Sequence, residues 1–235
     1  MKNFLRTGAT VLLMIAASHI TKAQESKNVA VKSFNSITVS SGIDLYLTQN
    51  GSESLTIKAN ADLLKNVVVE QNGGNLVIKM KEGLNWSSMF RNQSIKAYVN
   101  FKTLAALTAS GGSDVFSQGL IKADKFALRS SGGSDVKLNL ACTDLELQTS
   151  GGSDVSLTGK AENMVLNTSG GSDVDAYGFV VSYAKVNASG GSDANIHVTK
   201  GLEAGASGGS DVHYKGNASL KKTSSSKSGD VTKVD

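Results

Sequence analysis

The sequence predicts an all-β fold, a parallel β-solenoid with coils of about 19 residues. The pentapeptide Ser-Gly-Gly-Ser-Asp occurs six times, and successive copies begin 18 to 21 residues apart. Apolar and polar residues alternate through and between the copies, as they do in half-buried strands. Proline, which cannot donate to a strand ladder, is absent. The copies begin at Ser110, Ser131, Ser150, Ser169, Ser189 and Ser207, and a degenerate seventh copy follows at 228–231.

Residues 1–23 have the pattern of an export signal. Lys2 and Arg6 precede a mostly apolar run over 8–18 that is too short to span a bilayer, and the predicted cleavage site lies between Ala23 and Gln24. We therefore expect an exported protein of the periplasm, the cell surface or the extracellular space. No transmembrane segment is expected in the mature chain.

Charge and cysteine content exclude several classes of protein. Removal of residues 1–23 takes away three cations, which leaves 21 Lys and Arg against 20 Asp and Glu. The chain lacks a basic cluster interleaved with aromatic residues, so nucleic acid is not an expected partner. The single cysteine, Cys142, cannot form an internal disulfide and is interpreted as a small buried hydrophobe.

Residues 24–100 are strand-rich but less regular, and we interpret them as the start or cap of the solenoid. Segments 34–39, 43–47 and 54–58 alternate, residues 60–66 suit a short helical turn, and Asn72-Gly73-Gly74 suits the turn of a hairpin. Residues 101–235 form the repeat solenoid, and 24–235 are predicted to be one continuous domain. The loop that contains Trp86, Phe90 and Arg91 either caps the apolar core or anchors a partner.

The second repeat shows how one coil is expected to form. Its glycines are expected to turn a corner without changing the alternation, and its second serine is expected to stack inward on the serines of neighbouring coils. Strict alternation places one set of side chains inside: Phe126, Leu128, Ser130, Gly132, Ser134, Val136, Leu138 and Leu140. The outward wall includes a polar column of Arg129, Gln148, Asn167 and Asn187.

The motif aspartates are expected to form a column on the outer face, at the usual strand spacing of about 4.8 Å. Neighbouring carboxylates at that distance repel by about 1 kcal/mol per pair in water. Either backbone N–H groups and serine hydroxyls donate to them, or a cation binds, for which Ca²⁺ is the candidate. No other cofactor is expected, and His197 and His213 are read as surface residues. The column comprises Asp114, Asp135, Asp154, Asp173, Asp193 and Asp211.

The segment Phe34-Asn-Ser-Ile-Thr-Val-Ser-Ser-Gly-Ile-Asp-Leu-Tyr-Leu-Thr48, the hairpin after it and the serial Ser-Gly-Gly-Ser-Asp copies resemble a known family. It is the family of exported bacterial proteins called putative auto-transporter adhesin, head GIN domain. The resemblance covers roughly residues 30 to 215. It implies a right-handed parallel β-helix and a location in the cell envelope. In this chain Gly42-Ile43-Asp44 stands where the family's name suggests Gly-Ile-Asn.

The functional expectation is a non-catalytic, exported binding or structural module that resembles an adhesin. Its flat polar wall suits weak multivalent contact with a glycan or with an envelope or matrix protein. A calcium-binding repeat protein is one alternative, and a polysaccharide-active β-helix enzyme is another. The acids repeat uniformly along the coils, whereas an active site needs a few distinct acids and bases in one patch, so we expect no enzyme.

Overall fold

A computed structural model describes residues 24–83, 94–223 and 228–234, and most of these residues lie in strands. Alternating apolar residues account for the strands. Asn60 caps the one helix of the described residues by accepting a hydrogen bond from Leu63 N at 2.7 Å. The strands are β1 Glu25–Val29, β2 Ser36–Val39, β3 Ile43–Gln49, β4 Ser54–Ala59, β5 Val67–Asn72, β6 Asn75–Met80, β7 Ile95–Phe101, β8 Ala106–Ala109, β9 Val115–Lys122, β10 Lys125–Ser131, β11 Asp135–Ser150, β12 Asp154–Thr168, β13 Asp173–Ser189, β14 Asp193–Ser207, β15 Asp211–Lys215, β16 Ser219–Lys222 and β17 Asp230–Lys233, and the helix is α1 Ala61–Leu64.

The repeats stack as a parallel solenoid, which confirms the predicted fold class. Strands β10 to β14 pair in sequence order and in parallel, and each motif position lies beside the same position of the next coil. Asp135 pairs with Asp154, for example, and Leu147 pairs with Leu166. Among the described strands the antiparallel pairs are β1–β4, β4–β7 and β5–β6, and they lie in the N-terminal part.

The N-terminal coils do not stack in the order of the sequence. Strand β2 lies between β6 and β8, and β3 lies between β7 and β9. After β3 the chain therefore builds β4 to β7 on one side of the coil formed by β2 and β3. It then returns and adds β8 and β9 on the other side of that coil, from which the repeats continue. The predicted hairpin is present as β5 and β6, which meet at Asn72 and Asn75.

Columns of like side chains fill the core. Phe126, Leu145, Met164, Ala184 and Leu202 form one buried file, and Val115, Val136, Val155, Val174, Ala194 and Val212 form another. The predicted inward face is correct except at Gly132, which is exposed. The two glycines turn outward together, so the alternation passes from buried Ser130 directly to buried Ser134 across the turn.

The turn is made by two residues in the left-handed region of backbone conformation. At Gly132 and Gly133, φ is 67° and 75°, values that side-chain-bearing residues rarely adopt. The second serine closes the turn, because its hydroxyl donates to the carbonyl of the first serine: Ser134 Oγ lies 2.9 Å from Ser131 O. Ser153, Ser172, Ser192 and Ser210 make the same bond. The expected column of serine-to-serine bonds is thus replaced mainly by bonds to backbone within each coil.

The fourth repeat allows a matched test of this turn. A Cβ at Gly170 would lie 2.8 Å from Gly151 N, and Gly170 has a φ of 79°, whereas a Cβ at Gly171 meets nothing within 4 Å and its φ is not positive. We expect Gly170→Ala to cost about 1–3 kcal/mol of unfolding free energy and Gly171→Ala to cost much less. Thermal and urea unfolding of both variants would measure this, and equal losses would contradict the proposed role of the stacked turn.

Candidate functional site

The structure brings the six motif aspartates together in one column on the outer face. Asp135, Asp154, Asp173, Asp193 and Asp211 lie in successive register, and Asp114 precedes them because Val115 pairs with Val136. The degenerate seventh copy extends the column, since Asp211 pairs with Asp230. Whether this column contacts a ligand remains a prediction.

An eighth aspartate belongs to the column and was missed in the sequence. Leu45 pairs with Val115, which places Asp44 beside Asp114. Ser41 and Gly42 have φ values of 73° and 67°, like a motif glycine pair, and Gly42 N donates to Gly111 O at 3.0 Å. Residues 40–44 are therefore a further copy of the turn. Ser41 replaces its first glycine and Ile43 its second serine, so Ser40, Gly42 and Asp44 are the three motif residues that could have signalled the copy.

Hydrogen bonding to the column differs between its middle and its end. Among the described residues, none donates to the carboxylates of the five aspartates from Asp114 to Asp193, so the expected backbone and serine donors are not found there. Asp211 does accept from Asp230 N, at 3.1 Å. Asp230 accepts from Val231 N at 2.7 Å and from the Thr232 hydroxyl, and these bonds hold its pKa below the usual range.

Cations stand at both ends of the column. Lys96 pairs with Asp44 in register, and Lys222 Nζ lies 3.5 Å from an oxygen of Asp230. Burial raises the pKa of Asp44, the charge of Asp114 raises it further, and the charge of Lys96 opposes the rise. Burial also raises the pKa of Asp135, and the charges of Asp114 and Asp154 raise it further. The carboxylates near Asp114 therefore repel one another, and Lys96 and Lys137 offset the combined effect of burial and repulsion only in part.

The other candidate ligands do not converge. In the described ranges, no three His, Cys, Asp or Glu side chains are placed to hold a metal ion, so calcium binding remains a prediction. His197 pairs with Lys215, whereas His213 pairs with Asn195, which places the two histidines in different rows. Burial, and then the charge of Asp144, raise the pKa of the half-buried Cys142 thiol to about 11, which disfavours the reactive thiolate.

A polar row runs along the wall formed by β8 and β10 to β13. Thr108, Arg129, Gln148, Asn167 and Asn187 occupy equivalent positions on neighbouring strands. Hydrogen bonds link two pairs of neighbouring side chains in the row: Arg129 Nε donates to Gln148 Oε1 at 3.2 Å, and Asn187 Nδ2 donates to Asn167 Oδ1 at 3.0 Å. With the first serines of the motifs, this row lines an open groove of about 450 Å³. The groove presents donors and acceptors at regular intervals along the solenoid.

Three aromatic rings stack on the outer face of the first coils, a feature that sequence reasoning did not identify. Tyr46 lies between Tyr98 and Phe116, with ring centroids 4.9 Å and 5.3 Å away. Lys58 Nζ lies 5.0 Å from the Tyr98 centroid, and Lys96 Nζ lies 5.9 Å from the Tyr46 centroid. The rings come from strands far apart in the sequence, so no local pattern predicts the stack.

Several sequence predictions fall outside the described residues. These are the export signal of residues 1–23, including Ala23 at the cleavage site, and the loop residues Trp86, Phe90 and Arg91. Gln24, on the other side of the predicted cleavage, is described and exposed. Within the described ranges, no helical segment reaches the length and hydropathy that a bilayer crossing requires.

Comparison with protein families finds a match over most of the chain. The sequence profile of the family described as "Putative auto-transporter adhesin, head GIN domain" matches residues 33–218. This range covers strands β2 to β15 and all six complete Ser-Gly-Gly-Ser-Asp motifs. No match is found among curated proteins.

Several solved structures are similar in fold. A protein from Bacteroides fragilis described as a putative adhesin has a TM-score of 0.81 and 22% identity, over 91% of this chain and 98% of its own. A protein from Parabacteroides distasonis described as a putative lipid binding protein has a TM-score of 0.72 and 20% identity, over 92% and 98%. A further putative adhesin, from Parabacteroides merdae, has a TM-score of 0.71 and 20% identity, over 92% and 98%. At these identities the likeness concerns the fold.

The repulsion around Asp114 predicts a pH-dependent stability. Because the folded-state pKa values of Asp44 and Asp135 lie above their unfolded values, protonation favours the folded state, and stability falls as pH rises through the raised pKa values. Asp114→Asn removes the charge that both feel. We expect it to raise the melting temperature at pH 7, and we expect this gain to shrink as the pH approaches 4.

Melting curves of the wild type and Asp114→Asn at constant ionic strength would measure the difference. Asp62→Asn is the control, because Asp62 is exposed on the helix and pairs with Lys65. A less stable Asp114→Asn at pH 7 would show that the charge is compensated.

Proposed function

The chain belongs to the family described as putative auto-transporter adhesin, head GIN domain, and on that premise we propose that it is a non-catalytic, exported glycan-binding module of the cell envelope. The polar row of Thr108, Arg129, Gln148, Asn167 and Asn187 carries the proposal. A glycan presents hydroxyl groups along an extended chain, and side-chain amides can both donate to and accept from them. Parallel strands space the row at about 4.8 Å, so one extended glycan can contact several coils.

The side chains of the row are preorganised, which favours binding. The bonds from Arg129 to Gln148 and from Asn187 to Asn167 restrict the rotamers, so less side-chain entropy is lost when a ligand binds. Neighbouring Ser131, Ser150 and Ser169 add hydroxyls along the same groove. Each contact is weak and solvent-exposed, so affinity depends on engaging many of them at once, as adhesion to a repetitive surface requires.

Absence of catalysis is part of the proposal. The carboxylates near the polar row, such as Glu146, are held by Arg129 and Gln148. In the aspartate column, Asp230 has a lowered pKa and lies at the opposite end from Asp44 and Asp135, whose pKa values are raised, so these carboxylates do not flank a common bond. Hydrolysis or elimination would need an acid and a base with distinct environments beside the same bond. Turnover of any polysaccharide by the purified protein would contradict this part of the proposal.

One structural neighbour is described as a putative lipid binding protein, which makes lipid the second ligand to test. In this chain large side chains such as Phe126, Leu128 and Leu147 fill the interior of the coils. A lipid would therefore have to bind on the outside, where the polar row suits sugar hydroxyls better than acyl chains. Vesicles and glycans offered to the same protein separate the two ligands.

A glycan array followed by titration with the best hit would test the proposal. We expect Asn167→Ala with Asn187→Ala to weaken binding about fivefold or more, at about 0.5–1.5 kcal/mol for each lost hydrogen bond, with an unchanged melting temperature. Asn139→Ala with Asn195→Ala is the matched control, because these asparagines point outward from the strands that carry the aspartate column. An array without hits, or equal losses in both pairs, would refute the role of the row.

A further inference from the structure

A second groove contains three exposed lysines that the polar row does not include. Lys122, Lys160 and Lys200 line an open groove of about 560 Å³ at the corner that follows the aspartate-bearing strands. Lys122 lies on β9, Lys160 on β12 and Lys200 on β14, so one strand separates each from the next. Lys122 and Lys160 are in register through Ala141, which places their backbones about 10 Å apart.

The charges of these lysines are not neutralised within the described part of the chain. None of the three has a carboxylate oxygen within 4.0 Å, whereas lysines of the adjoining wall are paired: Lys185 and Lys221 both contact Glu203 at 3.1 Å. One carboxylate, Glu162, lines the groove with the three lysines. The groove therefore carries a net positive charge, although the mature chain as a whole is almost neutral.

An exposed aromatic ring lies at the edge of this groove. Tyr183 follows the groove residue Ser182, and 49% of its surface is exposed. The ring leans over Gly201, where a Cβ would lie only 3.1 Å from Tyr183 Cδ1. Lys200 Nζ lies 5.4 Å from the ring centroid. The glycine thus allows the ring to lie close to the sheet, beside an ammonium group that has no acidic partner.

We propose that this groove binds an acidic polysaccharide, with Lys122, Lys160 and Lys200 as the contacts for its carboxylates or sulfates and Tyr183 as the platform for a sugar ring. Charge complementarity selects an anionic ligand. The spacing of the lysines on alternate strands suits a polymer that bears its acid groups once per disaccharide. Tyrosine combines an apolar face for sugar C–H groups with a hydroxyl for hydrogen bonding.

The groove favours a polysaccharide over a single-stranded nucleic acid. Nucleic-acid channels combine a dense basic track with several aromatic platforms for successive bases. Here one ring stands beside three lysines, and Glu162 would lie close to a phosphate backbone. The inference rests on the proposed function in taking a glycan as the ligand, but it uses a different surface and different residues.

Titration with hyaluronan, alginate and heparin oligosaccharides, with neutral dextran as the reference, would test the groove. We expect one or more of the acidic probes to bind, and to bind more weakly as NaCl screens the lysines. Lys160→Gln with Lys200→Gln should weaken binding about fivefold to tenfold without changing the melting temperature. Tyr183→Ala should weaken it by an amount that salt does not change.

Lys27→Gln with Lys81→Gln is the matched control, because it removes two exposed lysines from the N-terminal part of the chain, where neither has a carboxylate oxygen within 4.0 Å among the described residues. Equal losses in the two lysine pairs, or equal affinity for a single-stranded DNA of the same charge, would show unspecific attraction of anions and overturn the proposal. Failure of all three acidic probes would also overturn it. In that case a neutral array hit that depends on Asn167 and Asn187 would leave the proposed function intact.

Discussion

Close contact between stacked glycine turns is the constraint on which the rest of the structure depends. A Cβ at the first glycine of a motif would lie 2.8 to 3.3 Å from the backbone nitrogen of the preceding coil, from Gly111 through Gly208. A side chain at this position would push the coils apart, so the bare glycine backbone allows successive turns to stack in one register. In five of the six motifs the hydroxyl of the second serine closes the turn by donating to the carbonyl of the first. Since register decides which side chains are neighbours, the turns determine both the packing of the core and the pattern of the surface.

The fixed register places equivalent side chains of successive coils beside one another, whether their contact is favourable or repulsive. In the core it gives files of valine and leucine that bury their surfaces together, and among polar residues it lets Thr149 donate to Thr168 at 2.8 Å. On the outside it aligns eight carboxylates, and their mutual repulsion costs free energy. Backbone ladders and core packing offset that repulsion in each coil. Lys96 and Lys222 offset it further at the two ends of the aspartate column.

The same register gives the surfaces their functional character. Polar side chains repeated on successive coils form an extended row, which suits an extended ligand better than a compact one. On the wall Lys185 is paired with Glu203, whereas in the corner groove Lys160 and Lys200 have no carboxylate partner among the described residues. Two surfaces of different chemistry therefore lie on one rigid scaffold, and a polymer that carries both hydroxyl and acid groups could engage both.

The repeat by itself determined the coil length, the inward serines and the outward aspartates, because alternation and period are local properties that the sequence displays directly. It did not identify the turn at Ser41 and Gly42, because Ser41 and Ile43 replace a glycine and a serine of the motif, and the pairing of β3 with β9 is what places this segment in the stack. The placement of β2 between β6 and β8 depends on pairing between distant segments. The groove of Lys122, Lys160 and Lys200 likewise exists only after folding, because residues about 40 apart become neighbours only when alternate strands stack.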